Sequence, residues 1–223
     1  MTIEFRELRT AAELAPLPAL ERLVWGDVDL VALNLLVATV SEGGMAIGAF
    51  DSDRLVGSVY GFATIAPHVL HSHYLAVDPE YRRTGLGVAL KHRQREWCLA
   101  NGRTAMRWTF DPLQLGNAHL NLRSLGAIGV EYHSNFYGLM VGINGGLPSD
   151  RLVVEWDLVS QPSVGAESIE IVVPPVTAEE IAAAAAHAFT ARLALRNAME
   201  PLLGDGWLVT DVDRANRTYT LSR

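Results

Sequence analysis

The alternation of hydrophobic and polar residues predicts a chain in which strands and helices are mixed. Ile3 and Phe5 alternate with Glu4 and Arg6, which indicates a short first strand. Further predicted strands cover residues 45–50, 54–65, 69–77, 104–110, 128–133 and 151–159, and predicted helices start at Thr10 and cover 29–40, 85–100 and 117–124. Several strands thus precede a glycine-rich helix start, and we expect an α/β (α+β) fold with a mixed central sheet flanked by helices.

A change in composition divides the chain into two predicted domains, 1–160 and 161–223. Residues 160–166 form a polar linker, and the remainder predicts a small β-α-β-β unit. The segment from Thr177 to Glu180 matches a capping box at the start of its helix. This extension could pack over a cleft of the first domain or lie at the interface of a homodimer, and the sequence leaves both open.

Composition narrows the classes of function. The 223 residues are 49% hydrophobic with a net charge of −7, so a folded core is expected and a basic nucleic-acid-binding face is not. Cys98 is the single cysteine, and the histidines lack metal-ligand spacing, so we expect no disulfide within the chain and no metal. Residues 55–77 lack charged side chains but contain Gly57, Gly61 and Pro67, which disfavours a membrane span. A charged N-terminus lacks the apolar core of a signal peptide, and we expect a cytoplasmic protein.

The segment that carries chemistry follows the strand ending near Val77. Gly85 and Gly87 open a helix there, and the unpaired amides of a first helical turn bind phosphate groups. Arg82 and Arg83 add positive charge. The pattern is R-x-x-G-x-G; a Walker loop would need Gly-Lys-Ser/Thr, and a dinucleotide fingerprint would need glycine where Leu90 stands.

With this strand, loop and helix, residues 1–160 resemble the GNAT superfamily of acyl-CoA-dependent N-acyltransferases. The resemblance implies a GNAT-like mixed sheet and acetyl-CoA, or another acyl-CoA, as cosubstrate. It implies that Ala76 and Val77 meet the pantetheine arm through their backbone. The residues it implies around the pyrophosphate are Arg82, Arg83, Thr84, Gly85, Leu86, Gly87 and Val88. Segments 108–113, 135–138 and 147–151, with the C-terminal unit, resemble one bacterial branch of the superfamily.

One departure concerns the general acid. Many members of the superfamily place a tyrosine on the helix before a Gly-Phe pair, where it protonates the departing thiolate; here the equivalent residue is Leu122. Asn117 and Asn121 lie four residues apart on the same helix and could hydrogen-bond the cofactor or orient a water. An asparagine cannot supply a proton at neutral pH.

The attacking amine must be neutral, so a base is expected, and the resemblance implies that it lies on the strand before the loop. His71 and His73 are two residues apart on that strand and should share a face. Either could be the base, or both could merely hydrogen-bond within the sheet. Asp111 could orient a histidine or bind the amine, or its Asp-Pro sequence could simply make a turn.

One residue of the C-terminal helix suggests which class of molecule accepts the acyl group. Its apolar stripe includes Ala188 and Leu195, and Arg192 falls between them. This guanidinium needs a partner, which could be an internal carboxylate, backbone carbonyls or solvent. Alternatively Arg192, or Arg196 one turn later, clamps the carboxylate of a substrate, which would then be an amino acid.

The sequence therefore predicts an enzyme that moves an acetyl or other small acyl group, such as succinyl, from CoA to a primary amine of a small molecule. The alternative is a non-catalytic acyl-CoA sensor, which the missing tyrosine allows. A nucleotide-binding interaction module is disfavoured, because both of its signatures are absent.

Overall fold

The computed structural model describes residues 2–27, 30–138, 146–160, 165–183 and 186–223. The strands are β1 (Ile3–Glu7), β2 (Met45–Asp51), β3 (Arg54–Ala63), β4 (Val69–Val77), β5 (Ala105–Phe110), β6 (Ile128–His133), β7 (Arg151–Asp157), β8 (Ser168–Val172), β9 (Leu208–Asp213) and β10 (Thr218–Ser222). The helices are α1 (Ala11–Leu14), α2 (Leu17–Trp25), α3 (Leu33–Ser41), α4 (Leu86–Ala100), α5 (Leu115–Ala118), α6 (Ala178–Ala182) and α7 (Ala186–Gly204). The chain forms two compact units, Met1–Arg107 and Trp108–Arg223, with the boundary inside β5.

The first unit is built on a mixed sheet. The strand order is β1-β2-β3-β4-β5; neighbours are antiparallel up to β4, and β4 pairs with β5 in parallel. This confirms the predicted α/β fold class with a mixed sheet flanked by helices.

Helices cover both faces of this sheet. A Cβ added to Gly57 would lie 2.9 Å from Leu90 Cδ1, which shows that α4 packs closely against one face of β3. The opposite face contributes Tyr60 to an apolar core that also contains residues of the first three helices. The buried members of that core are Leu8, Leu14, Leu17, Val31, Leu36, Ala46 and Tyr60.

The N-terminal helices differ in part from the prediction. The capping box at Thr10 is confirmed: its hydroxyl accepts from Glu13 N at 3.3 Å, and Thr10 N donates to Glu13 Oε2 at 2.8 Å. A separate helix, α2, then runs up to Gly26, whose φ of +86° ends it. The next helix starts at Leu33 rather than at 29, because Ala32 has an extended backbone.

The second unit contains an antiparallel sheet with the order β7-β6-β9-β10-β8. The C-terminal β-α-β-β order is present, and the capping box at Thr177 is formed. Because β6 pairs with β7 on one side and with β9 on the other, residues 165–223 fold together with 108–160. Residue 160, where the sequence predicted a domain boundary, lies within this second unit, and residues 161–164 of the predicted linker are outside the described residues.

The predicted helix over 117–124 is irregular. A short α-helix, α5, is followed by π-helical turns over His119–Ser124. Among the residues that the structure describes, no helix is long and apolar enough to cross a membrane, and no group of three His, Cys, Asp or Glu side chains could hold a metal ion.

Candidate functional site

A bulge in β4 determines which of its side chains share a face. Tyr60 of β3 pairs with Tyr74, but the next residue, Gly61, pairs with Ser72, so His73 is an extra residue in β4. The bulge brings the rings of His73 and Tyr74 to the same side, 5.7 and 5.4 Å from the Tyr60 ring. Ser72 points to the opposite face.

The loop after β4 has the backbone of an anion site. Arg83 has a φ of +64° and Gly85 a φ of +87°, so the chain turns twice through the left-handed region just before α4. Gly85 is the N-cap of α4. Its carbonyl accepts the first hydrogen bond of the helix, from Ala89 N at 3.0 Å. The amides of Leu86, Gly87 and Val88 therefore lack partners within the helix, as first-turn amides do.

Gly85 and Gly87 differ in the physical reason for having a glycine at that position. Gly85 needs its left-handed conformation, which L side chains rarely adopt. At Gly87 an added Cβ would meet Leu75 Cδ2 at 3.5 Å, which is ordinary contact, so the protein's own packing tolerates a small side chain there. Close approach of a ligand to the amides would explain glycine at this position.

Local hydrogen bonds hold the loop in place. Asp78 is buried, accepts from Glu80 N at 3.0 Å and pairs with Arg54 Nη2 at 2.7 Å. Tyr81 donates its hydroxyl to Asp51 Oδ2 at 2.7 Å, and Thr84 donates to the Tyr81 carbonyl at 2.7 Å. Arg82, Arg83 and Thr84, together with Gly85, are exposed, so the anion site faces solvent.

The described pairing of β4 with β5 lies at the end of β4 away from this loop. Among the described residues, the parallel ladder with β5 covers Val69, Leu70 and His71 of β4. Ala76 and Val77 pair with β3 on the other edge. Because N–H and C=O groups of a strand alternate between its two edges, this part of β4 offers backbone donors and acceptors on the edge away from β3.

The two candidate histidines lie together, as their spacing predicts. Their ring centroids are 6.2 Å apart, and His71 stacks on Phe62 at 4.6 Å. Burial, with a smaller effect of His73, Arg107 and Lys91, lowers the pKa of His71 to about 4. Desolvation also lowers the pKa of His73, which is the more exposed of the two. Both imidazoles are therefore neutral at pH 7 and able to accept a proton.

Sequence reasoning missed two buried charged residues of the first unit. Lys91, on α4, is 3% exposed and donates to Ser72 Oγ at 2.9 Å and to Gln94 Oε1 at 3.1 Å; burial lowers its pKa to about 7. Glu21, on α2, is 1% exposed. The signal at Glu21 was its position on the apolar stripe of Leu17, Leu20 and Val24, the same signal that drew attention to Arg192.

Asn117 and Asn121, the two candidate cofactor contacts of the second unit, differ in whether their side chains are exposed. Asn117 is exposed on α5, whereas Asn121 is buried and its Oδ1 accepts from Trp108 Nε1 at 3.2 Å. Leu122, at the place of the expected tyrosine, is buried.

Arg192 forms a buried ion pair with Asp111. Its Nη1 and Nη2 lie 2.5 and 2.7 Å from the two carboxylate oxygens, and Asp111 Oδ1 also accepts from Leu113 N at 2.9 Å. Arg192 is 2% exposed, and Asp111 is buried as well. Of the partners that the sequence left open, the structure thus contains the internal carboxylate. This pair occupies Nη1 and Nη2 of Arg192 and both oxygens of Asp111, whereas Arg192 Nε has no hydrogen-bond partner among the described residues. The substrate clamp at Arg192 and the catalytic role of Asp111 stay predictions.

Arg196 forms a second pair one turn later. Its Nη2 and Nε lie 2.6 and 2.9 Å from the carboxylate of Asp150, which also accepts from Tyr132 OH at 2.7 Å and from Asn135 N at 2.9 Å. These donors lower the pKa of Asp150 in spite of its burial. Arg196 therefore fixes a loop within its own unit rather than offering a free guanidinium.

Known structures share this fold. The ribosomal-protein-S18-alanine N-acetyltransferase from Escherichia coli has a TM-score of 0.59 at 15% identity, over 73% of this chain and 97% of that one. The aminoglycoside 6'-acetyltransferase type Ii has a TM-score of 0.57 at 19% identity, over 73% and 100%. The yncA protein of Salmonella typhimurium, solved with its cofactor acetyl-CoA, has a TM-score of 0.57 at 15% identity, over 75% and 100%.

Sequence comparison identifies the family. A search of curated proteins gave no match. The model of the acetyltransferase (GNAT) family matches residues 11–127, which is more than half of the chain and includes β4, the loop after it and α4. The protein belongs to the GNAT acetyltransferase family.

Proposed function

We propose that the protein transfers an acetyl group, or another small acyl group such as succinyl, from CoA to the primary amine of a small molecule. The observation that carries this proposal is the loop of residues 82–88. Its two left-handed residues, Arg83 and Gly85, come directly before the first-turn amides of α4, and the described pairing of the preceding strand with β5 ends at His71. A pyrophosphate followed by an extended amide-containing arm has the matching chemistry.

In this proposal the chain's own residues share the binding of CoA. The amides of residues 83–88 donate hydrogen bonds to the pyrophosphate, and Arg82 and Arg83 add charge-assisted contacts. The free edge of β4 at Ala76 and Val77 pairs with the amides of pantetheine. Bound acyl-CoA supplies the activated thioester, and Asn117, which is exposed, is a further candidate contact.

His73 is the better of the two candidate bases. It is more exposed than His71, and the pKa of His71, at about 4, makes that imidazole a weak proton acceptor. In the proposed step His73 accepts the proton that the ammonium group of the acceptor gives up. The neutral amine forms the new C–N bond and the C–S bond breaks. The nitrogen loses its second proton as the amide forms, and the thiolate of CoA takes up that proton.

A non-catalytic acyl-CoA sensor is the second candidate. Two observations favour it: Leu122 is buried where the family tyrosine is expected, and Asn121 is already bonded to Trp108. Both candidates require the same CoA site, and only the first requires thiol release on addition of an amine. The cytoplasmic location, the absence of a metal and the homodimer stay predictions.

Substitution of Gly85 tests the CoA site. Gly85→Asp places a carboxylate beside the phosphate-binding amides, and we expect the affinity for CoA to fall at least about tenfold, the effect of losing a charge-assisted contact. Gly85→Asn is the matched control, because asparagine has the same size and tolerates the left-handed conformation. Calorimetry measures CoA binding, and a thiol assay with acetyl-CoA and a panel of amines measures transfer.

Equal CoA affinity in the Asp and Asn variants would contradict the assignment of the loop. If the wild-type protein binds CoA but releases no thiol with any amine of the panel, the result would favour the sensor.

A further inference from the structure

Glu21 of α2 is a buried carboxylate with an incomplete set of partners. Its Oε2 accepts from Val31 N at 3.1 Å, and its Oε1 has no hydrogen-bond partner among the described residues. The described part of the chain also provides no ion pair for Glu21, which is 1% exposed. Burial raises the pKa of this carboxyl, so the site is more stable with a proton or a cation on the free oxygen.

A second unpartnered polar group lies beside it. The hydroxyl of Tyr74 on β4 is buried and has no hydrogen-bond partner among the described residues. Burial and the nearby charge of Glu21 raise the pKa of Tyr74 well above its usual range. Two elements, α2 and β4, therefore bring the Glu21 carboxylate and the Tyr74 hydroxyl close enough for each to shift the other's pKa, while neither Glu21 Oε1 nor the Tyr74 hydroxyl completes a hydrogen bond of standard geometry among the described residues.

Aromatic rings surround these two groups. Trp25, one turn after Glu21, meets Tyr74 edge-on with centroids 5.6 Å apart, and Tyr60 lies 5.4 Å from Tyr74. The row of rings continues to His73, 5.7 Å from Tyr60, and His73 is exposed. The rings thus lead from the surface at the candidate base to the buried carboxylate. Aromatic faces and a carboxylate together are the groups that bind organic cations in proteins.

The geometry points to a subsite in which Glu21 Oε1 binds a cationic nitrogen of the acceptor between the rings of Trp25, Tyr60 and Tyr74. This inference rests on the proposed function and names its acceptor class, an organic amine with an apolar or aromatic body. It also replaces the amino-acid acceptor: the guanidinium groups expected to clamp a carboxylate are paired with Asp111 and Asp150, whereas Glu21 Oε1, which suits an ammonium group, has no hydrogen-bond partner within the described ranges.

Glu21→Gln is the decisive variant, because it removes the charge and keeps an oxygen for Val31 N. With acetyl-CoA and phenethylamine as the acceptor probe, we expect KM for the amine to rise roughly 10- to 100-fold, the effect of losing a charged hydrogen-bond partner. KM for acetyl-CoA should be unchanged. Inhibition by phenethyl alcohol, which has no charge, should be equally strong in the variant and the wild type. Glu96→Gln, an exposed position on α4, is the control.

Tyr74→Phe separates a binding role from a structural one. If Glu21 and Tyr74 only satisfy each other, both variants lower Tm and leave the KM for phenethylamine unchanged, which would overturn the inference. Direct titration of phenethylamine followed by tryptophan fluorescence reports binding without turnover. Equal affinity of the wild type and Glu21→Gln for phenethylamine would overturn the subsite. Failure of the proposed function would be recognised separately, by the absence of CoA binding.

Discussion

At the scale of single residues, Lys91 makes stability depend on pH. Burial lowers its pKa to about 7, whereas an unfolded lysine titrates near 10.4, so above pH 7 the unfolded chain binds a proton that the native state does not. Stability therefore rises with pH in this window, by about 1 kcal/mol per pH unit from this residue. Lys91 is the only lysine in the chain. We expect Lys91→Met to flatten the slope of stability against pH, because the titrating amine is removed. Its neighbours keep a partner, since the hydrogen bond from Ser72 Oγ to Gln94 Oε1 at 2.8 Å is retained.

Urea unfolding at several pH values between 7 and 8.5 measures this slope. Higher pH must be avoided, because burial raises the pKa of Cys98 to about 12 and its ionisation in the unfolded chain then acts in the opposite direction. An unchanged slope in Lys91→Met would show that another group causes it.

At the scale of elements, α7 is held by two arginine–carboxylate pairs that differ in burial. Arg192→Leu leaves the buried carboxylate of Asp111 without its cation, and we expect a loss of about 3–5 kcal/mol in the free energy of unfolding. Arg196→Leu should cost less, because the Arg196 side chain is 21% exposed and Asp150 keeps its bonds from Tyr132 and Asn135. The double variant Asp111→Asn with Arg192→Met should recover part of the loss, since no unpaired charge remains. Denaturant unfolding compares the three variants; Arg192→Leu as stable as the wild type would contradict a structural pair.

At the scale of the whole chain, truncation distinguishes the predicted domains from the observed units. A chain that ends at Ser160 loses β9, whose Val209 packs directly on Gly129 of β6: a Cβ on that glycine would come within 2.8 Å of Val209 Cβ. It also leaves Asp111 and Asp150 without their arginines. We therefore expect residues 1–160 to be insoluble or partly unfolded, measured by size-exclusion chromatography and circular dichroism. A soluble, cooperatively unfolding fragment would instead support a separate domain that ends at residue 160.

Local signals in the sequence were sufficient for most of the fold. Alternating residues predicted β4 at its observed bounds, the capping boxes predicted the starts of α1 and α6, and the glycines predicted the start of α4. These features depend on contacts within a few residues, which is why a single sequence contains them. The helix α2 was not predicted as a separate helix, because Pro16 and Pro18 interrupt the segment although its apolar residues repeat with helical spacing. The π-helical turns over His119–Ser124 were not predicted either, because their local pattern resembles that of an ordinary helix.

The same distinction applies to the candidate site. The sequence by itself determined the glycine-containing loop between β4 and α4, since the glycines, the helix start and the strand before them are neighbours in the chain. Only the tertiary structure decided which charged groups have partners. Arg192 and Glu21 both lie on apolar stripes, yet Arg192 meets Asp111, 81 residues away, while one oxygen of Glu21 has no hydrogen-bond partner in the part of the chain that the structure describes. A charge on a buried face needs a partner from elsewhere in the chain, and long-range packing alone determines whether one is there.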